Sequence, residues 1–135
     1  MSLKTIGAKQ LETTYTDRYA VRVVALKPSK EIAIIYVDKG NYFKLPGGGI
    51  ERDEEHLNAA QREVQEETGA IVSLRNTNCI ATTEEFRNDL HQISYCYLAD
   101  VLDATGSPSL TEEECVDGLI HRWMPINEAL EAMVS

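Results

Sequence analysis

Basic residues are scarce. Thirteen lysines and arginines stand against 22 aspartates and glutamates, a net charge of −9. This balance argues against nucleic acid or an anionic membrane as a partner held by a basic surface. It leaves a small polyphosphate open, because metal ions at a carboxylate cluster reverse the local field. Cysteine is scarce as well: Cys79, Cys96 and Cys115 have neither zinc-site spacing nor the look of a disulfide framework. Free thiols in a reducing cytoplasm are the expectation, with Cys96 in an apolar run destined for the core. No apolar run is long enough to span a bilayer, and no charged-then-apolar leader opens the chain. No G-x-x-x-x-G-K-[ST] phosphate loop is present, which excludes γ-phosphate chemistry of that type. Repeats, low-complexity tracts and linkers are absent too, so residues 1–135 are expected to form a single domain. The composition, 43% hydrophobic and 26% charged, is that of a soluble globular protein.

What is present reads as alternating strands and helices. Residues 19–26 (YAVRVVAL), 31–37 (EIAIIYV) and 42–45 (YFKL) are rich in β-branched and aromatic residues and predict three strands, separated by turns at 27–30 and 38–41. A helix is predicted from Asp53, as N-cap, to Thr68, with Glu54 and Glu55 at the positive end of its dipole and Gly69 as its stop. Extended segments follow near 70–82, 92–101 and 120–124. Residues 102–114 read as a loop, and Asn127 is expected to cap a final helix with Ala129, Leu130 and Met133 on its buried side. This order, with a mixed sheet between helices, places the chain in the α/β class.

The most informative stretch runs from Gly48 to Ala70. Within two turns of the predicted helix it holds Glu63, Glu66 and Glu67, with Arg62 beside them and Pro46-Gly47-Gly48-Gly49 just upstream. Carboxylates three and four residues apart share one side of a helix. Alone, such a cluster is most often a solvated face. Here the apolar stripe is Leu57, Ala60 and Val64, and at about 100° per residue Glu63 and Glu67 fall beside it. The acidic edge therefore borders the packed face and suits a cleft. Three crowded carboxylates call for a cation, and the hard oxygen donors suit Mg²⁺.

The spacing resembles the Nudix box, G-x5-E-x7-R-E-U-x-E-E-x-G-U, with U a bulky aliphatic. Gly48, Glu54, Arg62, Glu63, Glu66, Glu67 and Gly69 fill its seven fixed letters, and Val64 fills the first U. Ala70 is small for the second, and Ile71 follows as a substitute. At roughly 5–7% usage per letter, a chance match is on the order of 10⁻⁷. The resemblance implies an α/β/α sandwich and hydrolysis of a nucleoside diphosphate linked to another group, X. It implies Mg²⁺, with Mn²⁺ as substitute, held by Glu63, Glu66, Glu67 and the Gly47 carbonyl. Glu63 and Glu66 are the catalytic carboxylates, with Glu63 in either a metal or a general-base role. Arg62 orients a glutamate, and Glu54 supports the loop-to-helix junction by pairing with Arg62. A further acidic ligand from a distant loop is expected among Glu112, Glu113 and Glu114, with Glu84 and Glu85 second.

The partner implied is a small nucleotide derivative, and a homodimer stays open. ADP-ribose-specific members carry a proline some fifteen residues after the box, whereas this chain has Thr83-Glu84-Glu85-Phe86-Arg87 there. The short chain looks most like the MutT-like nucleoside-triphosphate pyrophosphohydrolases, oxidised nucleotides included. Dinucleoside polyphosphates, nucleotide sugars and a non-catalytic nucleotide-binding module are the alternatives. Gly48 and Arg22 are candidate substrate contacts: Arg22 meets a phosphate if its side of the first strand faces the cleft, and is otherwise a surface arginine. Phe86, Tyr95 and Trp123 are candidates to stack a base, though core positions are commoner for such residues. His56, His91 and His121 lack metal-ligand spacing.

Overall fold

The computed structural model describes residues 3–134. Nine strands and three helices follow one another as β1 (Leu3–Ile6), β2 (Thr16–Leu26), β3 (Glu31–Val37), β4 (Tyr42–Lys44), β5 (Gly47–Gly49), α1 (His56–Thr68), β6 (Ile71–Leu74), β7 (Ala81–Arg87), β8 (Leu90–Asp103), α2 (Glu112–Asp117), β9 (Leu119–Pro125) and α3 (Ile126–Val134). The strands join in one mixed sheet, ordered β1-β7-β8-β2-β3-β4, with β5 paired to β2, β6 to β8 and β9 to β3. β2 and β8 run parallel over the full length of β2, and β1 lies parallel to β7.

Period-two alternation divides the core into two layers. Val21, Val23 and Ala25 of β2 and Ala33 of β3 pack with Ala59, Ala60 and Val64 of α1. The intervening residues Val24 and Leu26, with Ile32 and Ile34, pack with Ala129, Ala132 and Met133 of α3. Helices therefore cover both faces of the sheet, as expected for an α/β/α sandwich.

The sheet forks beside β2. Only Leu26 and Ile32 pair β2 with β3, while Ala20, Val21 and Arg22 pair with Gly49, Gly48 and Gly47 of β5. The glycine segment is thus a short strand, not a free loop. Gly47 has φ +155°, and a Cβ there would collide with the Val21 carbonyl oxygen, so only glycine fits.

Several local expectations are corrected. Helix α1 begins at His56 with Glu55 as N-cap, not at Asp53. Asp53 sits in the left-handed region at φ +64°, inside a turn closed by the Glu54 N–H on the Glu51 carbonyl and the Glu51 N–H on the Glu54 carboxylate. That turn and Arg62 occupy Glu54, which therefore precedes the helix. Residues 102–114 are not all loop: β8 runs to Asp103, and Thr111 starts α2 through a reciprocal capping box with Glu114. The extended stretch expected at 70–82 is β6 and the first residues of β7. Ile71 is about half exposed, so the buried Ala70 itself fills the box's final aliphatic position. In α3, Ala129 is buried but Leu130 is 54% exposed, and the helix opens at Ile126 without using Asn127 as a cap.

Candidate active site

A cavity of about 550 Å³ opens where β5 meets α1, lined by Arg18 and Arg22 of β2, Lys44 of β4, the three glycines of β5, Arg62, Glu63, Glu66 and Glu67 of α1, and Glu113 and Glu114 of α2. Its size is that of a small-molecule site. The ladder alternation explains how the glycines serve it. The Val23 N–H donates to the Pro46 carbonyl and the Ile50 N–H to the Tyr19 carbonyl. Gly47 and Gly49 therefore occupy the intervening positions, and their polar groups point away from β2. The outward Gly47 N–H donates to Glu67 Oε1 at 2.8 Å, and the Gly49 carbonyl accepts from Arg62 Nη2 at 3.2 Å. The Gly47 carbonyl shares that outward edge. Gly48 lets Glu63 approach, since a Cβ there would lie 2.7 Å from Glu63 Oε1.

Arg62 is the hub of the acidic wall. Its guanidinium forks onto Glu54 at 2.7 and 2.9 Å and donates from Nη1 to Glu63 at 2.9 Å. A longer contact of 3.3 Å reaches Glu66. The fork is the bidentate geometry that suits arginine. These bonds hold the Glu54 carboxyl below, and the Arg62 guanidinium above, their usual pKa values.

Glu63, Glu67 and Glu114 form a close group: one carboxylate oxygen of each lies within 4.8 Å of the others. Burial drives the Glu67 pKa up to about 8; the Gly47 N–H opposes the rise, and a hydrogen bond shared with Glu114 adds to it. Burial also raises the Glu63 carboxyl, against the pull of Arg62. Three such oxygens, with the Gly47 carbonyl on the adjoining edge, are a hard all-oxygen donor set that fits a divalent cation of the Mg²⁺ or Mn²⁺ kind. Glu66 is more exposed than Glu63, 35% against 9% of the side chain, and stands outside the close trio.

The distant-loop candidates separate cleanly. Glu114 joins the trio, and Glu113 lines the cavity. Glu112 does neither. Glu84 is engaged by His91 at 2.7 Å, Glu85 lies 3.9 Å from Arg87, and neither lines the cavity. The chain delivers Glu114 by pinning α2 at both ends. The Ser109 N–H donates to the Glu66 carbonyl before it, and the Gly118 carbonyl accepts from the Asp38 N–H after it.

Arg22 lines the cavity with its Nη1 buried and without a hydrogen-bond partner. Lys44 and Arg18 were not expected there. Arg18 shares a β2 face with Arg22, which strand period makes visible; Lys44 ends a three-residue strand and gives no such signal. Phe86, Tyr95 and Trp123 do not line the cavity: Tyr95 and Trp123 pack on the α1-side core, and Phe86 stacks on His91.

A NUDIX domain model matches residues 16–135. The chain belongs to the NUDIX family. Hydrolases of this family act on small nucleotide derivatives and generally use divalent metals. It is 34% identical over 93 residues to the CMP-5'-(N-acetyl-N-hydroxy-3-aminopropyl)phosphonate hydrolase of Streptomyces rubellomurinus, a match covering 69% of this chain and 42% of that protein. The chain thus spans under half the length of this curated relative. Its fold is similar to a NUDIX-family hydrolase from Clostridium perfringens, with TM-score 0.69, 22% identity and 84% and 85% of the two chains covered. It also resembles a MutT structure from a study of Aliivibrio salmonicida and Vibrio cholerae, with TM-score 0.60, 19% identity and 86% and 84% covered.

Proposed function

We propose that this Nudix hydrolase is Mg²⁺-dependent, with Mn²⁺ as substitute, and cleaves the diphosphate linkage of nucleoside diphosphates joined to X, nucleoside triphosphates foremost. The observation that carries this reading is the Glu63–Glu67–Glu114 oxygen cluster, set in one cavity with Arg22, whose buried Nη1 has no hydrogen-bond partner. Glu63, Glu67, Glu114 and the Gly47 carbonyl would hold the ion, with Glu66 at the rim as a further ligand. A divalent ion bound there supplies charge for the phosphate oxygens and lowers the pKa of water. The protein's own part is positioning and proton handling. Either Glu63 or Glu66 accepts the one proton of the attacking water, and Glu66 is the more accessible of the two. Arg62 fixes both carboxylates, and Glu54 fixes Arg62.

The streptomycete relative favours a second reading, in which X is a phosphonate joined to a nucleoside monophosphate. One panel tests both: nucleoside triphosphates, nucleotide sugars, ADP-ribose, dinucleoside polyphosphates and a CMP-linked phosphonate, each with Mg²⁺, Mn²⁺ or EDTA. Turnover of a panel member that needs the ion is the expected result. Undiminished turnover in EDTA, or none of any member, would count against the proposal.

A further inference from the structure

The geometry points to Arg22 and Lys44 as a paired anion clamp that grips a phosphoryl group of the substrate beside the carboxylate trio. This deepens the hydrolase reading and rests on it for the identity of the ligand, a nucleoside polyphosphate. Four cationic side chains line the cavity, and two are already engaged. Arg62 serves Glu54, Glu63 and Glu66. Arg18 donates Nη1 to Gln92 at 3.0 Å, and Gln92 is steadied by Ser94.

Arg22 and Lys44 are different. Arg22 is partly buried, and its Nη1 donor is buried with nothing to bind. A buried donor without an acceptor is costly, and a ligand oxygen removes that cost. Lys44 is partly buried as well, and Arg22 is the strongest charge acting on it. Two like charges held together in a partly dry cavity repel. Burial and that repulsion pull the Lys44 pKa down, while Glu67, Glu114 and Glu63 pull it back up. The arrangement becomes favourable when a polyanion lies between the cations and the ion-loaded carboxylates. The register places Arg22 opposite Gly47, where no side chain intervenes. The guanidinium offers a planar fork and the ammonium a point charge, the two common ways of holding a phosphoryl group.

The test uses Lys44→Met, Lys44→Arg, Arg22→Met and Arg22→Lys, each checked for folding by circular dichroism. At saturating Mg²⁺, the Met variants are expected to raise KM for the substrate by at least about tenfold, with a smaller change in kcat, as expected for lost binding. Lys44→Arg and Arg22→Lys should recover part of the loss. Calorimetric binding of inorganic pyrophosphate with Mg²⁺ should weaken in parallel. That readout stands apart from turnover: Lys44-dependent pyrophosphate binding in a protein that hydrolyses no nucleotide would support the clamp while removing the hydrolase reading. Folded Met variants with unchanged KM and pyrophosphate affinity would overturn the clamp. So would an effect confined to the Mg²⁺ requirement, which would mean that both cations only balance the glutamates.

Discussion

Glu67 is 2% exposed, yet it accepts from the Gly47 N–H and lies against two other carboxylates. Its metal-free state is therefore strained, and the sign of the pH effect follows. The folded pKa is raised to about 8 from 4.5, so the folded protein holds this proton more tightly than the unfolded chain does. Stability from this group is full at low pH and is lost as pH rises through that window. The metal-free protein is predicted to lose melting temperature between about pH 5 and 8, and Mg²⁺ should restore it by binding the native state. A melting temperature that climbs over this range, with no Mg²⁺ effect at pH 8, would contradict the assignment. Glu67→Gln and Glu66→Gln should each lower activity by at least about 10²-fold, the scale of a lost metal or base function. Above about pH 8, where Glu67 ionises, Glu67→Gln should also stabilise the metal-free protein by removing a buried charge, whereas the more exposed Glu66 should matter little to melting. Near-normal rates in both variants would show that the cluster is not the site. Much at this scale was readable: the box spacing gives the acidic edge of α1 and anticipates the Arg62–Glu54 pair. The choice among Glu112, Glu113 and Glu114 was not readable, because it depends on where α2 starts.

At the scale of elements, α2 shows how a short helix serves the cavity. It buries no residue fully, so its position rests on the Thr111 cap and on the backbone bonds of Ser109 and Gly118. Thr111→Ala should cost about 1 kcal/mol of local helix stability. Because α2 frays without touching the core, global melting should hardly move, while activity should fall several-fold as Glu114 loses its place. Hydrogen exchange over α2 and steady-state rates check this together; unchanged rates with faster exchange would detach Glu114 from function. Thr111 and Glu114 have the spacing of a capping box, but with Gly106, Pro108 and the Ser and Thr residues around them the whole of 102–114 read as loop. The start of α1 misled for a related reason. Asp53 has good cap chemistry, yet the Glu51–Glu54 turn takes it into the left-handed region and moves the cap to Glu55. Likewise β5 was unreadable as a strand, since three glycines carry no alternation and pair only because β2 offers an edge. Gly47→Ala should abolish activity and destabilise the protein, because the collision is with the backbone of β2. Melting and rate measurements check this, and a fully active variant would refute the account of β5.

At the scale of the whole molecule, β-branched runs predicted β2 and β3, and the sandwich followed from the resemblance to the Nudix box; the central strands read as apolar runs because both their faces are buried. The pairing of β1 with β7 was not legible: β1 is exposed throughout, so no apolar pattern marks it. The fork beside β2 is likewise a tertiary outcome, and it brings a glycine strand, a helix from the middle of the chain and α2 around one cavity. The activity proposed for this cavity is hydrolysis within a diphosphate linkage. The most direct measurement is phosphorus NMR of the products from a nucleoside triphosphate turned over with Mg²⁺ in ¹⁸O-labelled water. Nucleoside monophosphate and pyrophosphate, with the label in one of them, are the expected products. Nucleoside diphosphate and orthophosphate as the primary products from every triphosphate tested would contradict it.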